Sequence, residues 1–202
     1  MTTTLTRAAA LLTCLVTVLF LSACAKSAPA GDAGTTQDQR PVITGKPADH
    51  NAADIAFASD MIPHHQQAVD MSALVPDRSA DGDVQKLASD ISAAQTPEIQ
   101  TFKVLLVQWD ENPDLNTGSG KGGQSGMHGM VDEATMARLT SLEGAEFDQL
   151  WLQSMIGHHQ GAIEMAKTEI ANGANVDAKS IAQNIVTTQQ AEIDQMNQLL
   201  GG

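Results

Sequence analysis

The chain contains no tyrosine, and only 3% of its 202 residues are aromatic. With Phe20 set aside, the aromatic residues are Phe57, Phe102, Phe147, Trp109 and Trp151. A core so poor in rings must be filled with Ala, Leu, Ile, Val and Met, which suits closely packed helices better than a sheet. Basic residues are also scarce: 11 Lys and Arg stand against 24 Asp and Glu, a formal net charge of -13. Nucleic acid is excluded as a partner, because neutralising phosphates takes clustered cations. Cysteine is limited to Cys14 and Cys24, so neither a disulfide framework nor a thiolate metal site is expected.

Both cysteines fall in an atypical N-terminal segment. Arg7 is followed by an apolar run from Ala8 to Leu21 and then by Leu21-Ser22-Ala23-Cys24. The run is shorter than the roughly 20 apolar residues of a spanning helix and reads as an export signal. The last four residues resemble a bacterial lipobox, which implies cleavage after residue 23 and lipidation of Cys24. An ordinary signal peptide with a chance cysteine is the alternative. Residues 24–51, rich in Ala, Gly, Pro, Thr, Asp and Gln, have almost nothing to bury and read as a flexible tether. The expected location is therefore the cell envelope, outside the cytoplasm and anchored to the membrane by lipid.

The remainder, residues 52–202, is written twice. MIPHHQQAVDM at Met61 to Met71 returns as MIGHHQGAIEM at Met155 to Met165, an offset of 94. With that offset and no gap, residues 54–106 align on 148–200 with about 17 identities in 53 positions. A Gly-rich linker, 111–129, separates the copies. Each copy holds two helix-like segments, roughly 54–75 and 84–109, then 144–171 and 177–200, with a short extra helix over 132–141. The breaks PDRSADGD and NGANVD are short enough to turn a helix back on its neighbour. Two hairpins that cannot bury their apolar faces alone predict an all-α four-helix bundle of tandem αα-hairpin repeats.

Helical periodicity then places the polar residues. Phe57, Met61, His64, His65, Ala68 and Met71 fall within one broad arc, and Trp151, Met155, His158, His159, Ala162 and Met165 repeat it. On the second helix of each copy, Glu98 and Glu192 fall in the apolar stripe, with Gln95 and Gln189 beside them. Four imidazoles and two carboxylates are thus aimed at one core, where an unpaired charge costs several kcal/mol. Two answers are open. The glutamates hydrogen-bond to the histidines and fix the helix register, or imidazole, carboxylate and thioether groups converge on a transition metal. Methionine is also an ordinary gap-filler in cores.

FASDMIPHHQQAVDM and FDQLWLQSMIGHHQGAIEMA resemble the two signature segments of the bacterial "domain of unknown function 305" family, over residues 52–200. The resemblance implies a ferritin-like four-helix bundle, often exported or a lipoprotein. Some members are similar to periplasmic copper-binding proteins linked to copper tolerance. It implies metal contacts by His64, His65, His158 and His159 and by the framing Met61, Met71, Met155 and Met165.

An iron-dependent oxidase is disfavoured. Di-iron bundles use Glu-x-x-His spacings and several bridging carboxylates, whereas here no Glu precedes His at that spacing, and His with Met suits copper better. No nucleophile stands in a recognisable catalytic context, so an enzyme is not expected. The linker adds Met127, His128 and Met130, which could wrap a cuprous ion or be only a strip before the short helix. Pro63 and its counterpart Gly157 both precede a His pair, which predicts a kink or bulge there, for aiming the imidazoles or for close helix packing.

The reading is a lipid-anchored, extracytoplasmic protein that binds a transition metal, copper before any other, for buffering, sequestration or handover. The alternative is a metal-free helical interaction or envelope-stress module whose His-Glu core is structural. Whether the chain self-associates, and which partner would exchange metal, the sequence leaves open.

Overall fold

A computed structural model describes residues 49–113 and 128–201; the expected signal segment, Cys24, almost all of the tether and Met127 lie outside these. The described residues form α1 (Ala52–Ala73), a single turn α2 (Val75–Arg78), α3 (Gly82–Gln108), α4 (Glu133–Ser141), α5 (Gly144–Asn172) and α6 (Val176–Gly201). No strand occurs among them. The all-α bundle of four long helices is as expected, with boundaries within a few residues of those read from sequence.

Local chemistry sets most of the ends. Asn51 caps α1 by accepting from the backbone N–H groups of Ala53 and Asp54, while the Asp54 carboxylate accepts from Asn51 N–H. This reciprocal box satisfies donors that a helix start leaves orphaned. Asp81 caps α3 by accepting from the N–H groups of Asp83 and Val84, Asp132 caps α4 by accepting from that of Thr135, and Asn175 accepts from Asp177 and Ala178 at the start of α6. α1 is continuous from Ala52 to Ala73 with Pro63 inside it, and α5 runs unbroken through Gly157. Packing of α1 on its neighbours outweighs one missing backbone hydrogen bond.

α1 packs on α3, α5 packs on α6, and the two hairpins meet through α1 and α5. Their buried residues form two apolar clusters. One contains Phe57, Met61, Phe102 and Ile181; the other contains Met71, Ile91, Trp151 and Met155. Along α1 the first cluster ends at Ile62 and the second begins at Ala68, so His64 and His65 lie between them. On α5, His158 and His159 fall in the same interval, after Met155 and before Ala162. The histidines are a polar layer in an otherwise apolar interior. Buried Trp151 ties the hairpins beside that layer by donating from Nε1 to Met71 O at 3.1 Å. No helix among the described residues is long and apolar enough to cross a membrane.

Candidate metal centre

All four histidines of the two pairs are fully buried. His64 and His158 meet across the α1–α5 contact, with ring centroids 3.8 Å apart and planes inclined by 36°. The outer rings turn back into their own hairpins: His65 Nε2 lies 2.8 Å from Glu98 Oε2, and His159 Nε2 lies 2.8 Å from Glu192 Oε2. The hydrogen-bonding role expected as one alternative for the glutamates is therefore present. Their placement differs from expectation. The Glu98 and Glu192 side chains are 17% and 18% exposed, and lie at the rim. The buried positions one turn earlier belong to Gln95 and Gln189, each 2% exposed. A stripe defined at 100° per residue tolerates this, because a long Glu side chain reaches toward solvent from a flank that a Gln closes.

Hydrogen-bond direction fixes the state of three rings. A carboxylate or carbonyl oxygen can only accept, so Nε2 donates in His65, in His159 and in His64, whose Nε2 lies 3.1 Å from the carbonyl of His128. Nδ1 of each of these rings is buried and has no partner, as are both nitrogens of His158. A protonated His64 or His158 would place an N–H where no acceptor exists. For His64, burial above all, then the neighbouring His65, lowers the pKa to about 3 against the raising effect of the His128 carbonyl. Burial, followed by His64 and the other imidazoles, holds His158 well below the ordinary histidine range. Unpaired buried polar atoms each cost about 1–3 kcal/mol. This layer also contains the amide of Gln95, with both atoms unpaired.

Neutral imidazoles with unused lone pairs are what a borderline or soft cation requires. The residues fit such an ion in donor type and in protonation. Among the described residues, however, no three His, Cys, Asp or Glu groups are already placed around a common point. Binding at His64 and His158 would require the stacked pair to open.

The methionines divide. Met61, Met71 and Met155 are fully buried and border the histidine layer, the first in one cluster and the other two in the second. Met165 is only half-buried; it lines a surface groove of about 340 Å³ with Phe57, Asp60, His128 and Glu164. Met130 is half-buried at a second groove with Val131 and Gly157. His128 turns its exposed ring outward, with Nδ1 3.1 Å from Glu164 Oε2.

Two features escaped the sequence reading. Residues 128–131 lie across α1 and α5, where Gln67 pairs with both the N–H and the C=O of Val131 at 2.8 Å. The glycines Gly129 and Gly161 could have signalled a close backbone approach. At the far end of α5, buried Glu169 faces Asp54. Burial and then the hydrogen bond and charge of Asp54 push Glu169 up to about 8. Burial opposes ionisation of Asp54, but the bond from Glu169 and the N–H groups of Ala174, Asn175 and Asn51 outweigh it and hold its pKa low. An acidic residue on an apolar helix face was the only available signal.

Comparison with known proteins follows the same pattern. A family model described as "Domain of unknown function (DUF305)" matches residues 54–200. A DUF305 protein of Streptomyces coelicolor, designated a candidate secreted protein, is similar at 35% identity over 74% of this chain and 92% of that one, with a TM-score of 0.68. A DUF305 fragment from Deinococcus radiodurans is similar at 31% identity over 77% and 99%, also with a TM-score of 0.68. CopM in a Cu(II)-bound form is similar at 31% identity over 72% and 94%, with a TM-score of 0.63. Curated proteins give no match.

Proposed function

This chain belongs to the DUF305 family, and on that premise we propose that it binds copper in the cell envelope, for buffering, sequestration or handover rather than for catalysis. The observation that carries the reading is the set of five buried imidazole nitrogens without partners, on four histidines held between two apolar clusters. Resemblance to CopM, solved in Cu(I)-bound and Cu(II)-bound forms, supports copper as the ion. Imidazole and thioether donors suit it by softness.

His64, His65, His158 and His159 would supply nitrogen, with Met61, Met71 and Met155 bordering them. Glu98 and Glu192 act as partners of His65 and His159 rather than as ligands. Met165, Met130 and His128 lie toward the surface and would serve an entry route. Met127 and Cys24 belong to the same proposal from sequence alone, the first as a further soft donor and the second as the lipid-bearing anchor.

The lack of a ready-made three-ligand cluster favours a second reading, in which the His-Glu contacts serve stability alone. One titration separates the two. The protein, purified without a His-tag, is dialysed against Cu(I) or Cu(II), and tightly bound metal is counted in wild type and in the variant with all four core histidines replaced by Ala, whose fold is checked by circular dichroism. Equal stoichiometry and affinity in both would leave the histidines with a structural role only.

A further inference from the structure

We propose that residues 128–131 form a positioning strap over the histidine layer: the carbonyl of His128 holds His64 in its Nε2–H form and so presents the Nδ1 lone pair to an incoming ion. For its ligand the proposal rests on the metal-binding reading above; for its existence it rests on contacts of the strap itself.

Three contacts build the strap. His64 Nε2 donates to the His128 carbonyl at 3.1 Å. Val131 N–H donates to Gln67 Oε1, and Gln67 Nε2 donates to Val131 O, both at 2.8 Å, so one side-chain amide holds one residue by both backbone groups. His64 and Gln67 stand three residues apart on α1 and therefore share a face. The third contact is steric. A Cβ at Gly161 would overlap the His128 carbonyl, and a Cβ at Gly129 would come within 2.6 Å of Gly157 O. Gly129 also has φ of +81°, which disfavours any side chain. Gly161 weakens α5, and the crossing backbone is what it accommodates.

The outward turn of the His128 ring toward Glu164 means that the backbone, not the imidazole, addresses the layer. Three rings then share one arrangement: an oxygen on Nε2 and a free Nδ1. An oxygen partner on the far nitrogen orients a metal-ligating imidazole and raises its basicity. The strap does for His64 what Glu98 does for His65 and Glu192 for His159. If His64 were to hold the ion through Nδ1, its Nε2–H would be polarised and its bond to the strap tightened; by reciprocity, loosening the strap would weaken ion binding.

Two variants of the full chain test this. Gly161→Ala pushes the strap away while favouring the helix, and Gln67→Ala removes the clamp without adding bulk. Nitrogen-15 spectra read the His64 tautomer, and hydrogen exchange reads the Val131 N–H. Without metal, wild type should show the Nε2–H form and a protected Val131, and both variants should show faster Val131 exchange and mixed tautomers. With Cu(I), Val131 exchange should slow in wild type, and both variants should bind about 10- to 100-fold more weakly. An Nδ1–H tautomer in wild type overturns the proposal, as does wild-type copper affinity in variants whose Val131 exchange has accelerated. A wild type that binds no copper refutes the metal reading instead. The strap is then decided without metal, and unchanged tautomer and exchange in both variants would overturn it.

Discussion

His64 and His158 lie ring against ring across the two hairpins, 3.8 Å between centroids and inclined by 36°, with no charge to separate them. Two imidazolium rings could not be packed this way, because repulsion would add to the cost of burying each charge. The stack is therefore tied to pH, and the direction can be worked out.

His64 has its pKa lowered to about 3 in the folded chain, from 6.5 when exposed. Between these values the unfolded chain binds the extra proton. The stability contributed by a neutral His64 is fully present above pH 6.5 and is lost as pH falls toward 3. Chemical denaturation of wild type and of His64→Asn should show the difference between them moving against wild type by about 2 kcal/mol from pH 7.5 to pH 5. A difference independent of pH would mean that the ring takes up its proton in the fold as readily as in the unfolded chain.

Glu169 behaves in the opposite sense. Its pKa is raised from 4.5 to about 8, so the stability it adds is present at low pH and is lost as pH rises from 4.5 through 8. Glu169→Gln keeps a donor for Asp54 and removes the ionisation. Relative to wild type, the variant should gain about 3 kcal/mol between pH 5 and pH 8 in urea unfolding.

The glutamates of the layer distinguish a metal site from a stabilising ion pair. Glu98→Gln and Glu192→Gln retain an oxygen that can accept from His65 and His159. The metal-free protein should change by less than about 1 kcal/mol, while copper affinity measured by calorimetry falls about 10- to 100-fold. A loss of about 3 kcal/mol without metal would instead identify imidazolium-carboxylate pairs.

Anchoring is tested at Cys24. Replacing it with Ala should abolish lipid labelling and release the protein from the membrane fraction, or stop its processing. A Cys24→Ala protein that remains lipid-modified would rule out the lipobox.

The long helices and the inward aim of His64, His65, His158 and His159 were legible in the sequence because a helix repeats every 3.6 residues and both copies repeat the pattern. The reading placed Glu98 too deep, since periodicity gives a direction but not the reach of a side chain, and Gln95 takes the enclosed position. Met165 was read as core, but the groove beside it leaves it half-buried. A kink or bulge was expected at Pro63, and α1 remains one helix from Ala52 to Ala73. The strap could not be seen at all: Gln67 lies outside the apolar arc, and nothing local shows that Val131, 64 residues later, returns to it.

The hydrogen bonds that bring Ala174 and Asn175 to Asp54 connect residues 120 and 121 apart. Closing so long a loop costs entropy before any contact repays it, whereas each His-Glu contact spans only 33 residues. The order of assembly expected from this is that the hairpins form first and the turn between α5 and α6 seats on the start of α1 last. Ala174→Pro removes one of these donors, and Gly173 before it already has the extended ψ of 155° that a following proline requires. In stopped-flow measurements this variant should unfold faster and refold at the wild-type rate, because what it lacks forms only after the barrier has been crossed.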